Sequence, residues 1–125
     1  MFPSGPWTGF YTYSQRPGKH RMDLGLTFTN GRICGEGNDD IGPFVIRGGY
    51  ETASRECYWT KTYVGGHDVF YYGFGEDNGI WGTWEIPGDN HGGFRIWPKA
   101  HGEDEGERAT KEEKAPCDAV AGAAV

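Results

Sequence analysis

Residues 22–37 read MDLGLTFTNGRICGEG, and this stretch decides the fold that the sequence predicts. Before the Asn30-Gly31 pair, apolar side chains occupy every second position, which is the period of a strand with one buried face. Asn-Gly is a strong hairpin signal because both residues tolerate a positive φ. The pattern resumes at Ile33, so the stretch predicts two antiparallel strands, about Arg21 to Thr29 and about Arg32 to Glu36.

Turn signals divide the rest of the chain in the same way. Pro-Gly, Gly-Gly and Asn/Asp-rich segments recur between short runs of β-branched and aromatic residues. The other predicted strands are about Trp7–Ser14, Pro43–Tyr50, Glu56–Val64, Asp68–Phe74, Ile80–Ile86 and Gly93–Trp97. Connections this short join antiparallel neighbours, because a parallel crossover needs a dozen or more residues.

The predicted fold is all-β: an eight-stranded antiparallel up-and-down meander closed into a small barrel. Closure removes the exposed sheet edges, and a barrel of this size is either filled by side chains or holds one small ligand. A two-sheet sandwich is the alternative, although it usually needs Greek-key crossings. We assign residues 1–98 to the barrel domain. Residues 99–125 form a predicted disordered tail, since they contain no aromatic residue and are rich in charge and alanine.

Composition indicates which classes of partner and which cellular compartment to expect. The chain has 125 residues and a formal net charge of −6, with scattered basic residues, which argues against nucleic-acid or anionic-membrane binding. No stretch has the length of a membrane span. The three cysteines are odd in number and lack CxxC spacing, so they indicate neither a disulfide framework nor a zinc site. With no signal-peptide pattern in residues 1–10, we expect a cytoplasmic protein.

Strand alternation assigns one face of the sheet to the barrel interior, and Lys61 is the only charged residue on that face. A lysine there either anchors a carboxylate or phosphate group of a ligand or acts as a nucleophile with a lowered pKa. The interpretation we favour is that its stem lies along apolar residues and its ammonium lies at the barrel mouth, near Glu36, Asp39 or Asp40. The residues predicted to line an internal ligand site are Lys61, Tyr11, Trp59, Tyr63, Tyr71 and Trp84.

The opposite face of predicted strands five to eight carries large rings where the first four strands carry polar residues. The predicted interface residues are Tyr58, Phe70, Tyr72, Phe74, Trp81 and Trp97. These strands are adjacent in a meander, so the rings predict one patch that meets another copy of the chain, a protein partner or a planar ligand. The alternative is that the alternation fails in this region through a bulge or burial on both faces.

Catalytic and metal-binding patterns are weak. His67 and Asp68 are adjacent, so on a strand their side chains point to opposite faces. His20, His67 and His91 begin strands that share a direction and would gather at one barrel end as a candidate three-His metal site, although surface turn positions are the favoured interpretation. No nucleophile elbow or phosphate-binding loop is present. We assign no catalytic residue, metal or cofactor, and we keep an enzyme using Lys61 or the histidines as an alternative.

Gly5-Pro6-Trp7 at the start of strand one, followed by the meander, resembles the calycin architecture of lipocalins and avidins over roughly residues 5–98. The resemblance implies a barrel that binds a small hydrophobic molecule inside or pairs through its outer face, with Trp7 packing at the barrel bottom. It implies neither biotin nor retinoid binding, because the lipocalin Thr-Asp-Tyr segment and C-terminal helix and the polar biotin contacts of avidins are missing. The segments KTYVGGHDVFYYG and GFRIWP are also similar to a Gly/aromatic-rich barrel module of uncharacterised bacterial proteins, which implies no activity.

The favoured hypothesis from sequence is a noncatalytic interaction module that associates through the outer rings of strands five to eight. Glycines opposite large rings in the interior favour a nearly filled barrel. Binding of a small apolar ligand inside the barrel is the first alternative, and an enzyme is the second.

Overall fold

The computed structural model describes residues 2–76 and 78–99, and it forms a closed antiparallel barrel in which each strand pairs with the next and the last pairs with the first. The strands are β1 (Gly5–Tyr13), β2 (Arg16–Thr29), β3 (Arg32–Asp39), β4 (Pro43–Tyr50), β5 (Glu56–Tyr63), β6 (Asp68–Glu76), β7 (Gly79–Ile86) and β8 (Asn90–Pro98). The predicted meander barrel is confirmed, and the sandwich alternative is wrong. The predicted tail, residues 99–125, lies outside the described residues apart from Lys99.

The hairpin that decided the prediction has the expected geometry. Asn30 has φ 50° and Gly31 has φ 79°, so both lie in the left-handed region that a type I′ turn requires. Thr29 and Arg32 pair directly across the turn. The register that follows from this turn places the apolar residues of both strands inside the barrel.

Several strand boundaries differ from the prediction, and two of these differences affect the pocket end. β2 begins at Arg16, because the Pro17-Gly18 segment expected to form the turn lies within the strand, where Gly18 has φ 113°. The pairing of β1 with β2 shifts between Tyr11 and Tyr13, and this irregularity accommodates the longer β2. β3 continues to Asp39, which pairs with Met22. The extension of β3 brings an acidic side chain to the barrel interior.

The inside and outside faces follow the predicted alternation around the barrel except at Cys34, which is buried although it lies on the opposite face of β3 from Ile33. The buried hydrophobic residues are Phe2, Trp7, Tyr11, Met22, Leu24, Leu26, Ile33, Cys34, Phe44, Ile46, Cys57, Trp59, Tyr63, Val69, Tyr71, Ile80, Trp84, Phe94 and Ile96. Strands β5 to β8 obey the same alternation, so the alternative of a local failure there is wrong. No helix among the described residues is long and apolar enough to cross a membrane.

The two ends of the barrel differ in how they are filled. At the end where β2 turns into β3, which we call the closed end, Phe2 packs with Trp7, Phe28 and Tyr50 at ring-centroid separations of 5.1–6.5 Å. The Trp7 indole donates a hydrogen bond to the Pro3 carbonyl at 2.8 Å. Trp7 therefore packs at the barrel bottom, as the calycin resemblance implied. The opposite end, which we call the pocket end, contains a cavity.

Candidate functional site

A pocket of about 210 Å³ opens at the pocket end of the barrel. Its aromatic walls come from Tyr11, Tyr13, Tyr63, Tyr71 and Trp84, and its polar lining residues are Arg16, Lys61, His67, Asp89 and Asn90. A concave site walled mainly by rings, with a few placed polar groups, is the usual form of a small-molecule site. The interior is therefore not completely filled.

Lys61 forms a buried ion pair with Asp39 beside this pocket. The Lys61 Nζ lies 2.8 Å from the Asp39 Oδ2, and the two side chains are 2% and 0% exposed. The ammonium is also 4.6–5.1 Å from the ring centroids of Tyr11, Phe44, Tyr63 and Tyr71. Rings this close attract a cation through their negative faces.

The position of the ammonium corrects one detail of the sequence interpretation. Asp39 is one of the three acids expected near Lys61, but the ammonium is buried instead of lying in water at the barrel mouth. Burial lowers the pKa of the Lys61 ammonium below its usual range, and the hydrogen bond and charge of Asp39 oppose that change. The Lys61 ammonium is engaged with its carboxylate partner, which is a different arrangement from an unpaired nucleophilic amine.

Asp39 connects a turn with the barrel interior. Its Oδ1 accepts hydrogen bonds from the backbone N–H groups of Ile41 and Gly42 at 2.9 and 3.3 Å. Its Oδ2 accepts from Lys61 and, at 2.6 Å, from the Tyr63 hydroxyl. Burial and this hydrogen bond raise the pKa of Tyr63, so the phenol stays protonated as the donor.

Asp40 holds a second pair of side chains at the same end. It accepts a hydrogen bond from the Tyr11 hydroxyl at 2.6 Å, and its other oxygen lies 2.6 Å from His20 Nδ1. The His20 ring also stacks on Tyr11 with 5.0 Å between centroids. Burial and the bond to Asp40 raise the pKa of Tyr11. The two adjacent acids therefore fix two of the aromatic walls of the pocket.

The structure brings together five of the six residues predicted to line an internal ligand site: Tyr11, Lys61, Tyr63, Tyr71 and Trp84. Trp59 does not line the pocket; it stacks on Tyr71 at 5.4 Å and packs edge-on against Phe94 at 5.3 Å. The Trp84 indole donates to the Thr12 carbonyl at 2.9 Å. This contact depends on Gly92, where a Cβ atom would lie 1.8 Å from that same carbonyl oxygen and 2.8 Å from the indole nitrogen.

Sequence reasoning missed Asp39 as a site residue because it assigned Gly37 to Asp40 to a turn. The signal was present, since Ile33, Gly35, Gly37 and Asp39 share one face if the strand continues. Arg16 was also missed, because it was placed in a turn and its position over the Tyr13 ring, at 4.1 Å, follows from the longer β2.

The three histidines do not form the metal site considered from the sequence. His20 pairs with Asp40, His67 packs against Tyr63 at 5.4 Å, and His91 is exposed on β8 opposite Glu85. Within residues 2–76 and 78–99 no three His, Cys, Asp or Glu side chains are grouped so as to hold a metal ion. The His20–His67–His91 site is therefore wrong for the part of the chain described.

The outer face of β5 to β7 carries a group of exposed rings, which we call the outer aromatic patch: Tyr58, Phe70, Tyr72, Phe74 and Trp81. These side chains are 37–47% exposed. Neighbouring rings contact one another, with centroids 5.4 Å apart for Tyr72 and Phe74 and 6.3 Å apart for Phe74 and Trp81. The sixth predicted member, Trp97, is half-buried and packs edge-on against Phe10 of β1 at 6.1 Å.

Comparison with known proteins adds no relative to this description. No protein-family model matches the chain, and neither the curated proteins nor the solved structures gave a match. The closed meander is the architecture that the calycin resemblance implied, but it carries no family assignment.

Proposed function

We propose that this protein is a noncatalytic binding barrel that takes a small, largely apolar molecule at the pocket end. The observation that carries the proposal is the pocket of about 210 Å³, walled by five aromatic rings and bordered by the buried Lys61–Asp39 pair. Aromatic walls remove a flat ligand from water, and a few fixed polar groups orient it.

The polar network supports this proposal. A buried ion pair costs desolvation energy, and replacing such a pair with well-packed apolar residues is often neutral or stabilising. The closed end of the same barrel is filled in that apolar way, by Phe2, Trp7, Phe28 and Tyr50. The network at the pocket end holds Tyr11 and Tyr63 in fixed positions by hydrogen bonds to Asp40 and Asp39. Walls fixed in advance reduce the entropy lost when a ligand binds.

The test is an NMR titration with isopropylbenzene, followed at the indole N–H of Trp84. We expect saturable shifts of this resonance in the folded protein. The variant Ile86→Trp enlarges a pocket-lining side chain and should weaken binding by about tenfold or more. The matched variant Val45→Trp adds the same ring on the exposed outer face of β4 and should leave the affinity unchanged. If the pocket resonances do not shift at any isopropylbenzene concentration up to its solubility limit, the proposal is contradicted.

Self-association through the outer aromatic patch is the second candidate function. The observation that favours it is the continuous group of exposed rings on three adjacent strands, which is unusual for an ordinary solvated surface. Sedimentation at increasing concentration should then show a dimer that Trp81→Glu returns to a monomer. Val45→Glu places the same charge on a different part of the wall and should leave the dimer intact. A wild-type monomer at every concentration would reject this candidate.

A further inference from the structure

Tyr71 carries a buried hydroxyl that forms no hydrogen bond with the residues that the structure describes. Its side chain lines the pocket and is 3% exposed, and its ring packs against Trp59 and Phe94 at 5.4 and 4.9 Å. Among residues 2–76 and 78–99 this hydroxyl has no hydrogen-bond partner, whereas the neighbouring hydroxyls of Tyr11 and Tyr63 each donate to a carboxylate. Buried polar groups are nearly always paired, so a donor at a pocket wall without a partner among the described residues indicates an acceptor supplied from elsewhere.

A second donor lies beside it. The Lys61 Nζ is 5.1 Å from the centroid of the Tyr71 ring. One of its hydrogens is directed to Asp39 and a weak contact of 3.9 Å is made with the Met22 sulfur. An ammonium has three donors, so in the described part of the chain one N–H of Lys61 is left for a further acceptor. Both groups can donate a hydrogen bond to a ligand in the pocket.

The charges around this position favour a neutral acceptor over an anion. The charge of Lys61 is already balanced by Asp39, and Asp40 adds a second carboxylate at the same end. Burial raises the pKa of the Tyr71 hydroxyl, and the negative charge of Asp39 raises it further, so the local field opposes added negative charge. An anion would also lose its hydration without gaining an unpaired cation inside the barrel. The Arg16 guanidinium is nearer the rim, over the Tyr13 ring.

We propose that the ligand of this pocket is a small planar aromatic molecule with a neutral carbonyl oxygen, which accepts a hydrogen bond from the Tyr71 hydroxyl. The carbonyl oxygen lies on the Lys61 side of the ring, and the aromatic part packs among Tyr11, Tyr13 and Trp84. The inference rests on the proposed function, because it names the chemistry of the molecule that the pocket end takes.

The experiment compares three probes of equal size: acetophenone with a neutral carbonyl, isopropylbenzene with no acceptor, and benzoate with a charged carboxylate. Dissociation constants are measured by NMR titration with the wild type, Tyr71→Phe and Tyr50→Phe. Acetophenone should bind the wild type most tightly. Tyr71→Phe should weaken acetophenone by about fivefold or more and leave isopropylbenzene unchanged, because only the hydroxyl is removed. Tyr50→Phe makes the same change on a half-buried ring at the closed end, away from the pocket, and should alter neither affinity.

Each outcome distinguishes the inference from the function on which it rests. Equal affinities for acetophenone and isopropylbenzene, as expected where water satisfies Tyr71, overturn the carbonyl assignment and keep the binding barrel. An equal loss of acetophenone affinity in Tyr50→Phe overturns the assignment to Tyr71, and tightest binding of benzoate overturns the neutral acceptor. Failure of all three probes overturns both proposals. Tyr71→Phe loses no hydrogen bond within the described protein, so it should fold with unchanged resonances at the closed end.

Discussion

The closed end and the pocket end of the barrel have the same wall but opposite interiors. At the closed end, rings fill the space, and the Trp7 indole donates its hydrogen bond to the Pro3 carbonyl of the same chain. At the pocket end, two adjacent acids bind a lysine, two tyrosines and a histidine, and a cavity remains between the rings. Apolar side chains stabilise the closed end by removing area from water, and their contacts have no preferred direction. The hydrogen bonds of the polar network are directional, so they fix a few side chains in position and leave a cavity between them.

The largest effect is expected when one partner of the buried ion pair at the pocket end is removed. Asp39→Ala leaves the Lys61 ammonium buried without its carboxylate, and we expect the free energy of unfolding to fall by about 3–5 kcal/mol. Urea denaturation measures this loss. The double variant Asp39→Leu with Lys61→Met removes both charges and should lie close to the wild type, since apolar replacement of a whole pair is often neutral. If Asp39→Ala lowers the free energy of unfolding by less than about 1 kcal/mol, Lys61 and Asp39 are not a tightly coupled pair.

At the closed end the expected effect is set by lost packing. Phe2→Ala removes the ring that contacts Trp7, Phe28 and Tyr50, and we expect a loss of about 3 kcal/mol in the free energy of unfolding. The matched variant Phe70→Ala removes the same ring from the outer aromatic patch and should cost about 1 kcal/mol or less. Equal costs would mean that Phe2 does not complete the closed end. NMR resonances of Trp84 should stay unchanged in both variants.

The smallest expected effect is a loss of stability at acid pH that depends on Asp40. Burial opposes its ionisation, but hydrogen bonds from Tyr11 and His20 lower the pKa of Asp40 below its ordinary value of 3.8. A carboxyl with a lowered pKa contributes stability that is present above its ordinary pKa and lost as the pH falls through the folded value. The free energy of unfolding should therefore decrease as the pH falls below 3.8.

Tyr11→Phe tests the source of this pH dependence. It removes one donor to Asp40, so it should cost about 1 kcal/mol at neutral pH and make the acid-induced loss shallower. Asp40→Asn should make the free energy of unfolding depend still less on pH in the acid range. Urea denaturation across the acid range gives the comparison, and parallel curves for the wild type and Tyr11→Phe would show that Tyr11 does not lower the pKa of Asp40.

Local patterns in the sequence predicted the wall of the barrel better than its pocket. The Asn30-Gly31 turn and the alternation around it gave the register, because both depend only on neighbouring residues. The end of β3 was missed, since residue types alone make Gly37 to Asp40 a good turn and the pairing of Asp39 with Met22 is non-local. Arg16 was missed for the same reason, because Pro17-Gly18 resembles a turn.

The polar contacts of the pocket needed the closed barrel itself. Sequence narrowed the partner of Lys61 to three acids, but which of them meets the ammonium depends on the stagger between strands that are not adjacent. Whether the Tyr71 hydroxyl has a partner among the described residues depends on which acceptors lie within hydrogen-bond distance in three dimensions, so no one-dimensional pattern identifies it.

Because β1 pairs with β8, the same barrel can form from a chain that begins at a different strand. Trp7 lies opposite Pro98, and the Lys99 amide donates to the Pro6 carbonyl at 3.0 Å, so the two outermost strands of the chain are side by side. A circular permutant that joins these strands by a short linker and opens the chain in the exposed segment between β4 and β5 would keep every ladder of the barrel. Its pocket would be assembled from a chain that begins at β5 and ends at β4.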